Sequence, residues 1–178
     1  CALPIWSTNP TAFTVGNSGS GSASAQNTGA ITINAMPASV GGPISIYGGD
    51  VNVNASMVST AAGSPILVKA RGSIVTGDGT SAAPRKFQTV TAPITLWSDA
   101  AAAGVGRIYT GIFNSFLSNG GRITLAGGLD DGGAAAGITS AAAVASDGFP
   151  DGYARGALSG TALGANTGVF IGSRNVFT

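Results

Sequence analysis

Seven aspartates are the only side-chain carboxylates in this chain of 178 residues, which has no glutamate, no histidine and one cysteine, at position 1. Acid–base work on a glycosidic bond needs two carboxyl groups facing each other across roughly 5–10 Å. Asp130-Asp131 is the only adjacent pair, and it lies in Gly-Leu-Asp-Asp-Gly-Gly, where aspartate is an ordinary turn former. We read the pair as a turn and assign no catalytic residue. Hydrolytic triads, thiol proteases, structural zinc sites and zinc deaminases all lack their ingredients. Asp130-Asp131 and Asp147-Gly148-Phe149-Pro150-Asp151-Gly152 do place oxygens on glycine-rich loops. Calcium, however, takes about six to eight oxygens from a tuned loop, and neither a hand-type loop nor a Gly-Gly-x-Gly-x-Asp repeat is present. We expect no metal and no cofactor.

Two further residue sets bear on binding. The six arginines and two lysines are scattered and leave a net charge of only +1, so nothing here attracts nucleic acid electrostatically. Trp6, Tyr47, Trp97, Tyr109 and Tyr153 would stack on sugars wherever they face outward. Tyr47 and Trp97 each follow an isoleucine, Ile44 and Ile94, by three positions. In a strand that spacing puts them on the face opposite the isoleucine. Both are therefore expected to be exposed, and two strands apart, about 10 Å, if their strands stack.

The elements that would carry these residues announce themselves by recurrence. A small residue, a spacer and an alternating apolar run appear as Gly42-Pro43-Ile44-Ser45-Ile46-Tyr47, Ser64-Pro65-Ile66-Leu67-Val68-Lys69, Ala92-Pro93-Ile94-Thr95-Leu96-Trp97 and Gly121-Arg122-Ile123-Thr124-Leu125-Ala126. Each reads as a strand with one apolar face. Recurrence at a few tens of residues, with further short strands between, is the signature of a solenoid whose coils bury their apolar faces only by stacking. Scarce lysine, absent glutamate and 29 glycines argue against helices and suit tight corners. The fold class expected is all-β: a right-handed parallel β-helix (β-solenoid) with an N-terminal extended arm.

Residues 1–25 form the arm and its linker. Apolar clusters Leu3-Pro4-Ile5-Trp6 and Phe13-Thr14-Val15 precede Gly16-Asn17-Ser18-Gly19-Ser20-Gly21-Ser22-Ala23-Ser24, a flexible composition. Such an arm either folds back onto its own first coil, the preferred reading, or adds to a neighbour as a strand. Residues 26–178 form the solenoid. Turn chemistry at Gly48-Gly49-Asp50 and Ala70-Arg71-Gly72 marks its corners, and Gly77–Lys86 and Ser98–Gly104 are lateral excursions. The pattern weakens past Leu129, where the alanine run 141–145 is read as strand or loop, and returns at Val169-Phe170-Ile171 and Asn175-Val176-Phe177. The last coil ends on apolar residues, and an uncapped end invites stacking. No apolar run is long enough to span a bilayer as a helix.

The run Ile44-Ser45-Ile46-Tyr47-Gly48-Gly49-Asp50-Val51-Asn52-Val53-Asn54 with Ile66-Leu67-Val68-Lys69-Ala70 resembles the repeats of filamentous-haemagglutinin-like bacterial adhesins. The resemblance covers roughly residues 29–128 and is one of repeat style. It implies a right-handed parallel β-helix, secreted or held at a bacterial cell surface, acting as an adhesive or biofilm-related rod. The Asn-Pro-Asn secretion motif of that family is absent, and Asn9-Pro10-Thr11 does not match it. Cys1-Ala2 also resembles the processed start of a bacterial lipoprotein, which would anchor the chain by a lipid; the plainer reading is a fragment or processing boundary.

The resulting expectation is a noncatalytic extracellular or surface module that associates with itself in filaments or matrix, with an extracellular glycan as candidate ligand. Its interaction residues are Ile5, Trp6, Phe13, Val15, Tyr47, Trp97 and Phe177. The alternative is a polysaccharide-binding or polysaccharide-cleaving β-helix using Asp130 and Asp131.

Overall fold

The computed structural model describes residues 10–16, 29–103, 105–130, 147–152, 154 and 168–178. Every regular element among them is a strand, and the chain lays these down in successive passes. The first pass gives β1 (Phe13–Val15) and β2 (Ile31–Ile33), and the second β3 (Ile44–Gly48), β4 (Val51–Val53) and β5 (Met57–Ala62). The third gives β6 (Ile66–Ala70), β7 (Ile74–Thr76) and β8 (Arg85–Val90), and the fourth β9 (Ile94–Ser98), β10 (Ile108–Thr110) and β11 (Asn114–Leu117). The last gives β12 (Ile123–Gly127), β13 (Val169–Ile171) and β14 (Val176–Phe177).

These strands form three sheets, ordered β1-β3-β6-β9-β12, β2-β4-β7-β10-β13 and β5-β8-β11-β14, and every pairing is parallel. The chain visits the first, second and third sheet in rotation, so each strand pairs with one a full pass away. A parallel bridge from Val40 to Ser59 marks the third-sheet position of the first pass.

Register follows the apolar alternation, because a one-residue slip would turn every inward side chain out. Ile44 pairs with Ile66, Ile66 with Ile94 and Ile94 with Ile123, so the four isoleucines of the recurring phrase form one column. Phe13 extends it on Ile44, with Val15 on Ile46, so β1 lies in the first sheet of its own chain. The second sheet stacks Ile31, Val51, Ile74, Ile108 and Val169. In the third, Met57, Phe87, Phe116 and Phe177 align. Rings of Phe87 and Phe116 stack at 4.7 Å and those of Phe116 and Phe177 at 4.9 Å, the spacing between neighbouring strands. The inward faces of all three sheets share one hydrophobic cluster.

Polar residues at inward positions sit at the corners, where they meet backbone groups that leave the ladders. Between the third and first sheets, Ser59 donates to the Gly42 carbonyl (2.8 Å), Thr89 to Ala92 (2.6 Å) and Ser118 to Gly121 (2.6 Å). The corner is tight: a Cβ on Gly121 would run into the Ala92 carbonyl one pass below. Between the second and third sheets, buried Asn114 donates to the carbonyls of Gly111 (2.8 Å), Gly77 (3.2 Å) and Ile112 (3.2 Å) and accepts from Thr76 Oγ1 (3.2 Å). Asn175, one pass on, accepts from the Asn114 backbone N–H (2.7 Å) and donates to Thr110 Oγ1 (2.7 Å).

The corner from first to second sheet takes up most of the variation in chain length, with a smaller excursion at residues 77–84 between the second and third sheets. The first-to-second-sheet corner comprises residues 49–50, then 71–73, then 99–107, and finally 128–168. At its inner edge Gly48, Ala70, Ser98 and Gly127 share one inward column. Ser98 is the exception there: its hydroxyl is buried and has no hydrogen-bond partner among the described residues. An unmet buried hydroxyl costs about 1–3 kcal/mol, and Ala70 already shows that a methyl fits this column. Ser98→Ala is therefore expected to stabilise the fold by about 1 kcal/mol and to raise the melting temperature by about 2–4 °C, measured by thermal unfolding.

Candidate functional site

The outward face of the first sheet gathers the chemistry-bearing side chains that the recurring phrase predicts. Register places Tyr47, Lys69, Trp97 and Ala126 in one outward column, so the two aromatics are separated by an intervening strand, as their positions in the phrase imply. Lys69 fills the gap: its Nζ lies 3.6 Å from the Trp97 ring centroid, a close cation–π contact.

Exposure differs from the sequence-based expectation. Trp97 is buried, at 4% exposure, and Tyr47 is half-buried. The reason lies in the last first-sheet corner. After β12 the chain turns back at Gly128 (φ 87°), and the Gly128 carbonyl accepts a 2.7 Å hydrogen bond from Trp97 Nε1. Residues 127–129 then run antiparallel to 151–152, through a Gly127–Gly152 bridge and an Asp151 N–H to Leu129 carbonyl bond of 2.8 Å. The Arg122 guanidinium lies 3.2 Å from the Phe149 ring centroid and 4.0 Å from Asp147 Oδ2. This added layer leaves all five residues of β9 buried on both faces.

Covering half-buries Lys69, and its pKa is lowered chiefly by that desolvation, with the Asp130 charge opposing. The folded pKa thus lies below the ordinary lysine value of 10.5. Between the two values the unfolded chain holds the proton that the folded lysine has released, so stability rises with pH in that window. The unfolding free energy of the native chain relative to a Lys69→Met variant is expected to rise between neutral pH and about pH 10, as measured by denaturant titration at each pH.

The aspartates considered for catalysis or calcium are occupied in shaping loops. Asp130 accepts the backbone N–H groups of Asp147 (3.0 Å) and Gly148 (2.9 Å), and Asp147 accepts that of Phe149 (2.8 Å). Asp50 likewise accepts from the Ser73 amide (2.7 Å) and Asp78 from that of Ile112 (2.9 Å). Asp131 lies outside the described residues, as do Tyr153 and the alanine run 141–145. Among the described residues no three His, Cys, Asp or Glu side chains gather as a metal site, and no helix is long and apolar enough to cross a membrane.

The remaining interaction residues do not converge with Tyr47 and Trp97. Phe13 and Val15 point inward at the β1 end of the first sheet, and Phe177 stands at the opposite end of the third sheet, on β14. Ile5 and Trp6 lie outside the described residues. Lys69 was not singled out from sequence. The available signal was its place in the phrase, since it holds the third position after Ile66 just as Tyr47 and Trp97 do after their isoleucines. Comparison with family models, curated proteins and solved structures finds no match for this chain.

Proposed function

We propose that the three sheets close into a right-handed parallel β-solenoid, and that the protein is a noncatalytic structural or adhesive module of a bacterial surface or its extracellular surroundings. The observation that carries this reading is the strict rotation of the chain through three parallel sheets with in-register inward columns. Parallel crossovers within a sheet are right-handed in nearly all known cases. A molecule so built offers long lateral faces and an end, and acts through shape rather than through a cleft. Engagement of Asp50, Asp78, Asp130 and Asp147 with backbone amides supports the noncatalytic part, since each carboxylate has a structural task. The repeat-style resemblance to filamentous-haemagglutinin-like adhesins supports the surface assignment.

Purified protein tests the reading when presented to a glycan array and to bacterial and host-cell surfaces, with reducing-sugar release measured in parallel. Surface or glycan binding without new reducing ends is the expected result. Sugar release that disappears in Asp130→Asn would replace the adhesive reading with a polysaccharide-cleaving one.

A further inference from the structure

Among the described residues a glycine follows Asp78, Asn119, Asp147 and Asp151. Such pairs share one chemistry. The glycine nitrogen, with no side chain beside it, can close a cyclic imide on the side-chain carbonyl carbon of the residue before it. What the fold does with that nitrogen separates the four pairs. Gly79 N–H donates to the Ile112 carbonyl (2.8 Å) and Gly148 N–H to Asp130 Oδ2 (2.9 Å), while Asp151 is itself buried. Gly120 N–H has no hydrogen-bond partner among the described residues, and Asn119 is exposed.

The local geometry leaves the pair accessible. Ser118 to Gly121 is a tight turn closed by a 3.2 Å bond from the Gly121 N–H to the Ser118 carbonyl, with φ of 51° at Asn119 and 99° at Gly120. Asn-Gly is the dipeptide that suits two such left-handed positions in succession. A Cβ built on Gly120 would meet nothing within 4 Å, so the space around its backbone is open. The Asn119 carboxamide is held through Nδ2, which donates to the Thr89 carbonyl one pass below at 2.5 Å. A bond of this kind at an exposed turn opens and closes without wider unfolding.

We propose that Asn119 is a site of spontaneous covalent modification, deamidation by way of Gly120, and that the reaction loosens the corner joining β11 to β12. When the carboxamide swings off Thr89, the Gly120 nitrogen gives up its proton and bonds to Asn119 Cγ. The Cγ–Nδ2 bond breaks, and the nitrogen leaves as ammonia with that proton. Water then opens the cyclic imide. Opening at Cγ leaves an aspartate, whereas opening at the main-chain carbonyl routes the backbone through Cγ and lengthens it by one methylene. Water is the only co-reactant.

Both products strain the same corner. An aspartate sets a negatively charged acceptor where a donor faced the Thr89 carbonyl, so a hydrogen bond becomes a repulsion. A longer backbone enters a corner without slack, because Ser118 Oγ bonds the Gly121 carbonyl at 2.6 Å and Gly121 lies against the Ala92 carbonyl. The modification is independent of the adhesive reading and acts on any copy of the molecule as it ages.

The test incubates the purified full chain in mildly alkaline buffer at physiological temperature and follows it by peptide mass spectrometry. Fragment ions are expected to place a gain of about 1 Da at Asn119 before any appears at Asn34, Asn52, Asn54, Asn114 or Asn175. Labelling by an isoaspartyl methyltransferase is expected to rise in step, and the rate to rise with pH because the attacking nitrogen must be deprotonated. Asn119→Gln, whose ring would be larger and closes far more slowly, is expected to show neither signal. Aged wild-type chain and fresh Asn119→Asp are each expected to melt about 2–4 °C below fresh wild type. Earlier gain at another of these asparagines, or an Asn119 that keeps its amide while denaturant-unfolded chain loses it, overturns the site. Melting temperatures equal to that of fresh wild type overturn the loosening of the corner.

Discussion

Phe116→Ala is expected to lower the unfolding free energy by about 3–5 kcal/mol, a drop in melting temperature on the order of 10 °C. Phe116 is fully buried, with its ring stacked between Phe87 at 4.7 Å and Phe177 at 4.9 Å. Truncation therefore loses the transfer energy of the ring and two stacking contacts of about 0.5–1.5 kcal/mol each. It also leaves a cavity that cannot collapse, because the flanking strands are held by their own hydrogen bonds at the rung spacing. Phe177→Ala provides the comparison: that ring has one stacking partner and is 37% exposed, so its loss is expected to cost about 1 kcal/mol. Denaturant unfolding of both variants separates enclosure from stacking, and equal costs would count against the column as the source of stability.

Asn114→Ala carries the second large effect, an expected loss of about 3 kcal/mol. The wild-type amide satisfies the carbonyls of Gly77, Gly111 and Ile112 and the hydroxyl of Thr76 at a fully buried corner. Removing it takes the side-chain donor from the Gly111 carbonyl and the acceptor from the Thr76 hydroxyl, while the Ile112 carbonyl keeps the Gly79 N–H and the Gly77 carbonyl keeps Arg85 Nε, and each buried group without a partner costs roughly 1–3 kcal/mol. Asn114→Leu, which preserves volume, is expected to be nearly as damaging, which would identify hydrogen bonding rather than packing as the cause. Asn54→Ala serves as reference, because Asn54 bonds Asn34 at an exposed position of the same corner and its loss is expected to change stability by less than about 0.5 kcal/mol.

The inward columns were legible in the sequence because a period-two apolar pattern recurs after the same small-residue lead. Ile44, Ile66, Ile94 and Ile123 lie over one another as that recurrence requires. Phe13-Thr14-Val15 carries the same alternation, but the glycine- and serine-rich tether after it holds no register information, so its place on β3 came from the structure. Strand β5 was also hidden: Met57–Ala62 mixes small and polar residues, and only Met57 and Ser59 are fully buried.

Trp97 illustrates a different limit. Its outward position follows from alternation, but its burial depends on residues 128–130 and 147–152, far along the chain and composed of glycine and aspartate without periodicity. The corner network was obscured for a third reason, since Ser59, Thr89, Ser118 and Asn114 are polar residues at inward positions, and a hydrophobic pattern passes over them. Thr89 and Ser118 do each precede the phrase isoleucine by five positions, and that offset was the trace available.

Lengthening of the first-to-second-sheet corner, from residues 49–50 in the second pass to 128–168 in the last, has a bearing on evolution and engineering. Because neighbouring strands keep their register whatever the corner holds, selection can extend, shorten or replace that corner without repacking the interior. Heritable change in what the molecule presents to its surroundings is thus uncoupled from what keeps it folded. A foreign peptide grafted at Ala102-Ala103 would be displayed on a scaffold that does not register its arrival.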